Sequence, residues 1–152
     1  MAKLRAGYIS GYGGQRVRLN ERFFKGGDSF RGFKLAGIGP RDIRVSGQSA
    51  IGGDAYIIGS TELRLPDFLP ADYGISLSLF SDFGTLGHID SGVPPCTVTS
   101  CIKDNMAFRA SAGVSIGWKS PFGPVQIDLG LPIVKESYDK SQIIRFSTMT
   151  GL

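Results

Sequence analysis

The stretch "AFRASAGVSIGWK", residues 107–119, alternates along its whole length. Phe108, Ala110, Ala112, Val114, Ile116 and Trp118 fall on one side; Arg109, Ser111, Gly113, Ser115, Gly117 and Lys119 fall on the other. Successive side chains of a strand point to opposite faces, so this period of two gives one apolar face and one small, polar face. "PFGP" follows, a turn by composition. "VQIDLGLPI", residues 125–133, then sets Val125, Ile127, Leu129, Leu131 and Ile133 against Gln126, Asp128 and Gly130. Together these segments read as one long antiparallel hairpin, with arms longer than the ~5–6 residues usual for soluble strands.

The same parity extends outward. "YGISLSLFSDF" places Tyr73, Ile75, Leu77, Leu79 and Phe83 opposite Gly74, Ser76, Ser78 and Asp82. "AYIIGSTELRL" places Ile57, Gly59, Thr61, Leu63 and Leu65 opposite Tyr56, Ile58, Ser60, Glu62 and Arg64. "KLRAGYISGY" sets Leu4, Ala6, Tyr8 and Tyr12 against Lys3, Arg5 and Gly7. "IIRFSTMTGL" alternates less cleanly, with Ile144, Phe146 and Leu152 against Arg145 and Ser147. The expectation is about six antiparallel strands and no helix. Long connections (14–52 and the "TLGHIDSGVPPCTVTSCIKDN" loop) alternate with short turns, the pattern of a membrane barrel with long loops at one rim.

Composition sets bounds. At 152 residues, 41% hydrophobic and 20% charged, the chain has the make-up of one folded domain. Its 22 glycines follow no G-X-Y period, which excludes collagen. The net charge of +4 is modest and its basic residues are scattered, so charge alone argues only weakly for a nucleic-acid partner, and none is expected. "MAKLRAGYIS" is no secretory leader, and no apolar run reaches the roughly 20 residues of a spanning helix. Membrane strands need only about 10 alternating residues each. Cys96 and Cys101 are too far apart for a CxxC pair and, with His88 as the single histidine, offer no zinc set. A disulfide closing a short loop is the favoured reading; two thiols in a loop is the other.

A soluble sandwich also alternates. Against it stand the Gly- and Ser-rich polar faces, suited to a lumen wall, and Tyr73, Phe83, Phe108 and Trp118 near strand ends, where interface aromatics lie. Membrane barrels start at about 8 strands, and open edges in lipid cost several kcal/mol per bare backbone group. Six strands therefore point to a piece of a larger barrel or one stave of an oligomer, and the missing leader favours the piece.

"ERFFKGGDSFRGFKLAGIGPRD" resembles the sixth extracellular loop of the outer-membrane β-barrel assembly factor family, BamA and its relatives in the bacterial surface antigen superfamily. The family signature is a Gly-Gly pair, here Gly26 and Gly27, followed by [VIF]RGF, here Phe30, Arg31, Gly32 and Phe33. "GGDAYIIGSTELRLP", "SLFSDFGTL" and "GVSIGWKSPFGPVQIDLGLP" resemble later family strands in the same order. The resemblance implies an all-β fold: an antiparallel transmembrane β-barrel segment, about six strands of a sixteen-stranded barrel, with a long loop folding into the lumen. Residues 1–152 would be the C-terminal portion, without POTRA domains or N-terminal strands. It implies that Arg31 meets acidic residues of the next two strands, which map to Glu62 and Asp82; parity puts both on the polar face.

By the same resemblance, residues 142–152, with Ile144, Phe146 and Leu152, form a lateral-gate strand whose edge templates client strands. Ending in Leu152 departs from the usual terminal Phe or Trp. The implied function is insertion of β-barrel proteins into the bacterial outer membrane. The implied partners are outer-membrane lipid, unfolded outer-membrane protein clients and accessory lipoproteins, with no cofactor, metal or catalytic residue. A translocation pore (TamA-like or two-partner secretion) and a non-catalytic surface-antigen barrel are the alternatives. As a phosphate loop "GGDSFRGF" lacks the GK[ST] ending. No aromatic platform for RNA is present. A glycosidase pair of Glu62 and Asp82 would need a second shell the sequence does not display. Arg5, Arg109 and Lys119 read as lumen or rim charges, and His88 as a solvated loop residue.

Overall fold

The computed structural model describes residues 1–44, 46–66, 73–89 and 102–148, which leaves Cys96, Cys101 and Leu152 outside the described residues. Among the described residues nine strands follow in chain order: β1 Ala2–Tyr8, β2 Arg41–Asp42, β3 Ser49–Ala50, β4 Ala55–Arg64, β5 Ile75–Gly87, β6 Ile102–Lys103, β7 Arg109–Ser120, β8 Gly123–Val134 and β9 Ile144–Thr148. Six of them make one antiparallel sheet in the order β1-β4-β5-β7-β8-β9. β2, β3 and β6 form a small second sheet from the long connections.

The two faces of the main sheet have exchanged the solvent preferences of a water-soluble protein. Arg109 and Ser111 are fully buried and Asp82 is 2% exposed, whereas Leu131 is 59% and Phe146 71% exposed. An apolar outer face of this extent is stable only against another apolar phase, since each Å² left in water forgoes about 25 cal/mol. Side chains of β1 (Lys3, Arg5) and of β8 and β9 (Asp128, Ser147) line one cavity of ≈ 400 Å³, so the sheet curves around its polar face. The chain is thus an all-β barrel segment, apolar outward and polar inward.

Register supplies what alternation leaves open. Gly59 stands across from Phe83 on the outer face, and Gly113 across from Phe80 on the inner face. A Cβ on Gly59 would lie 2.4 Å from the Phe83 ring, and one on Gly113 2.7 Å from the Phe80 ring. Each glycine makes room for a cross-strand ring that covers its bare backbone.

The core sits on the inner face. Phe30, Phe33 and Ile38 from the 14–52 connection pack on Ile58 of β4 and Leu86 of β5. The rings of Phe30 and Phe33 meet edge to face at 5.3 Å. That packing accounts for a difference from the sequence expectation. The long loop read from composition starts at Thr85, yet β5 continues through Gly87. Leu86 fills the core, and residues 85–87 pair with residues 55–57 of β4. β1, in contrast, ends at Tyr8, short of Tyr12. The 14–52 connection, irregular by sequence, folds back onto the barrel wall through a short 3₁₀ turn (Leu19–Glu21) and isolated bridges such as Phe23 to Gly53.

Leu129 lies midway along β8 on the outer face. Leu129→Arg in the full-length protein should cost about 2–4 kcal/mol of folding free energy in lipid vesicles, read by urea unfolding. An effect below about 0.5 kcal/mol would mean that this face does not meet hydrocarbon.

Candidate functional site

The turn that aims Arg31 is built by "GGDS". Ser29 accepts from the Gly26 amide at 3.0 Å and donates to the Gly26 carbonyl at 2.8 Å. A Cβ on Gly26 would lie 2.0 Å from the Lys34 carbonyl oxygen, so no larger residue fits there. Gly32 has φ +88°, a conformation that L side chains rarely adopt, and a Cβ there would press on Ser111 at 3.1 Å. With Phe30 and Phe33 packed in the core, the guanidinium between them has one course, toward the wall.

There Arg31 meets Asp82 in a fork. Nε donates to Asp82 Oδ2 at 2.9 Å and Nη2 to Oδ1 at 2.9 Å, and the Arg31 backbone amide also donates to Oδ2 at 2.8 Å. Nη1 donates to Glu62 Oε2 at 3.3 Å and to Ser115 Oγ at 3.4 Å, and Nη2 to Ser60 Oγ at 3.0 Å. The Ser60 hydroxyl donates in turn to Asp82, and Ser78 to Glu62 at 3.0 Å. The Phe80 ring lies 3.8 Å under the guanidinium carbon. Planar, two-pronged recognition over an aromatic face is what arginine offers and lysine does not. Burial works to lower the Arg31 pKa; the hydrogen bond and charge of Asp82, then Glu62 and Asp128, outweigh it, and the net shift is upward. The cation therefore stays charged at any physiological pH.

A second buried cation ties the β8–β9 connection to β7. Arg109 Nε donates to Asp139 at 2.8 Å, Nη1 to the Ala107 carbonyl at 2.9 Å and Nη2 to the Tyr138 hydroxyl at 3.3 Å. Both charged side chains are fully buried. Burial pushes the Tyr138 phenol up, with Arg109 pulling it back. Arg109 is thus wholly enclosed by this connection, where the sequence suggests a lumen or rim charge. Arg5 and Lys119 are exposed, and His88 is exposed beside Gly87.

The structure brings Arg31, Glu62 and Asp82 together and seats Phe30 and Phe33 beside them. It places Ile144 and Phe146 elsewhere, on the outer face of β9. Parity already puts Ser60, Ser111 and Ser115 on the polar face, but sequence reasoning did not tie them to Arg31 and missed Phe80, which faces the same way as Glu62 and Asp82. It also missed Gly130, whose Cβ would fall 2.7 Å from the Gly32 amide nitrogen. Nothing local marks that glycine, because the contact joins residues almost a hundred positions apart. Among the described residues no group of three or more His, Cys, Asp or Glu side chains is placed to hold a metal ion.

The chain matches the model of the Omp85 superfamily domain over residues 1–150. It is 35% identical over 147 residues to the outer membrane protein assembly factor BamA of Neorickettsia risticii, covering 97% of the chain and 19% of that protein. It is 27% identical over 156 residues to the sorting assembly machinery 50 kDa subunit of Saccharomyces cerevisiae, covering 98% of the chain and 30% of that protein. The crystal structure of BamA from Haemophilus ducreyi lacking POTRA domains 1–3 superposes with a TM-score of 0.78 at 28% identity, over 95% of the chain and 30% of that structure. The chain therefore spans less than a third of the length of each of these relatives.

Arg31→Ala leaves Asp82 buried without its cation and should cost about 3–5 kcal/mol. Arg31→Lys keeps the charge, loses the fork, and should cost about 1.5–3 kcal/mol. Urea unfolding of the full-length protein in lipid checks both, and adding Asp82→Asn to Arg31→Ala should recover part of the loss.

Proposed function

The chain belongs to the Omp85 superfamily, and from that premise we propose that it forms part of a machine that assembles β-barrel proteins into the bacterial outer membrane. Residues 1–152 serve as the C-terminal portion of its barrel domain. The chemistry is non-covalent: the work comes from strand pairing and from apolar burial in lipid, and no residue acts as acid, base or nucleophile.

One observation carries the reading. The inner face, polar and enclosed, is spanned by a loop clamped through Arg31, in a chain 35% identical to a protein named as an assembly factor. A loop fixed this rigidly serves a wall that must hold its shape while its edge works. β9 is one of the two edge strands of the described sheet, β1 being the other, and β8 is its neighbour. Among the described residues β9 pairs with β8 from Val125 with Thr148 to Leu129 with Ile144. Strand addition at such an edge uses free N–H and C=O groups as a template. We assign Ile144 and Phe146 of β9, and Leu152 beyond it, to this lateral gate. Unfolded outer-membrane proteins are its clients, outer-membrane lipid its solvent and accessory lipoproteins its helpers.

The full-length protein in lipid vesicles should accelerate insertion of an unfolded barrel client, and Arg31→Ala should lower that rate about tenfold or more. Insertion no faster than in empty vesicles would sink the assembly reading, and passage of a polypeptide across the vesicle wall would replace it with a translocation pore.

A further inference from the structure

The aspartate of "GGDS" is not used by the Arg31 clamp. Asp28 accepts from Arg145 Nε of β9 at 2.6 Å. Arg145 has another carboxylate directly opposite in the ladder, Asp128. That group, however, accepts from Ser115 and from Gln126 at 2.8 Å. The guanidinium reaches instead over the inner face to the loop. Gly27 makes the approach possible: a Cβ there would lie 3.1 Å from three atoms of the guanidinium, and the backbone stands at φ +60°. The second glycine of the pair is thus a seat for Arg145.

The loop holds both sides of the sheet within the five residues 28–32. Arg31 binds β4 and β5 through Glu62 and Asp82. The Arg31 carbonyl accepts from Ser111 of β7, and the Gly32 carbonyl accepts from the Gln142 amide at 3.0 Å, just before β9. Asp28 then reaches β9 itself. The Arg31 end is buried. The Asp28 end is open to water, with side-chain exposures of 22% for Arg145 and 69% for Asp28. One end is a permanent anchor and the other is weak enough to release.

We propose that Asp28 and Arg145 form a releasable latch, by which the lumen loop holds the edge strand β9 against β8, and that Arg145 is a positioning residue for that strand. The latch stands on geometry alone; its consequence for client entry rests on the assembly reading above. Opening it frees β9 to shift while Arg31 keeps the loop, β4 and β5 together.

The test is hydrogen exchange of residues 144–148 in the full-length protein in lipid vesicles. Asp28→Asn and Arg145→Gln should each speed exchange in β9 about 2–5-fold, the factor that corresponds to an exposed ion pair of about 0.5–1 kcal/mol. Exchange in β4 and β5 should not change. Asp28→Asn combined with Arg145→Gln should exchange no faster than Arg145→Gln alone, which separate structural roles for the two side chains would not give. Raised salt should speed β9 exchange in the wild type and leave Asp28→Asn unmoved. Unchanged β9 exchange in both single variants, or a double variant in which the two effects add, overturns the latch. The same variants in the client-insertion assay separate the two proposals: faster β9 exchange with unchanged insertion supports the latch and counts against the gate.

Discussion

A charge buried inside a protein must be met there, and Arg31 is met by Asp82. The fork of two side-chain hydrogen bonds, with a third from the Arg31 backbone, fixes a loop of the long first connection against β5. Much else depends on that contact. Phe30 and Phe33 flank the arginine in sequence, so the clamp delivers both rings to Ile58 and Leu86. Gly32 follows it, and the loop backbone can then approach Gly130 of β8 and bond the segment leading into β9. Without the carboxylate, the cation would pull the loop back toward water and the core on the inner face would lose one of its two sides.

The barrel wall obeys a complementary constraint. In hydrocarbon every backbone polar group needs a protein partner, so the strands are long and antiparallel and the apolar side chains turn outward. The polar side chains are then left inside, where they satisfy one another. Ser60, Ser111 and Ser115 are small enough to lie beneath the loop and polar enough to bond the Arg31 it brings, while Ser78 bonds Glu62. The same division explains the aromatic and glycine pairs. A ring on either face covers backbone that a glycine opposite leaves bare, and both members are set by register.

Two arginines show how burial sorts function from support. Arg109 is enclosed between β7 and the β8–β9 connection, held by Asp139, Tyr138 and a carbonyl. It joins the end of one strand to the approach of another. Arg145 lies in a wetter place, on a carboxylate that solvent reaches. The first contact is costly to break and the second is cheap, which is why the reversible role is assigned to the second.

The period of two determined the strands, their inner and outer faces and the side on which Glu62 and Asp82 fall, because a pleated strand has no other way to arrange successive side chains. The glycines and the FRGF quartet marked the loop. The alternation alone could not say that β5 runs on through Gly87, since a glycine-rich segment becomes a strand only when β4 pairs with it and Leu86 finds a core. Nor could it pair Asp28 with Arg145, Arg109 with Asp139, or Gly32 with Gly130. Those contacts join distant positions, and no local pattern encodes a distance between them. They exist because the sheet curves and the loop returns across it, and a buried charge such as Arg109 then needs a polar partner within reach.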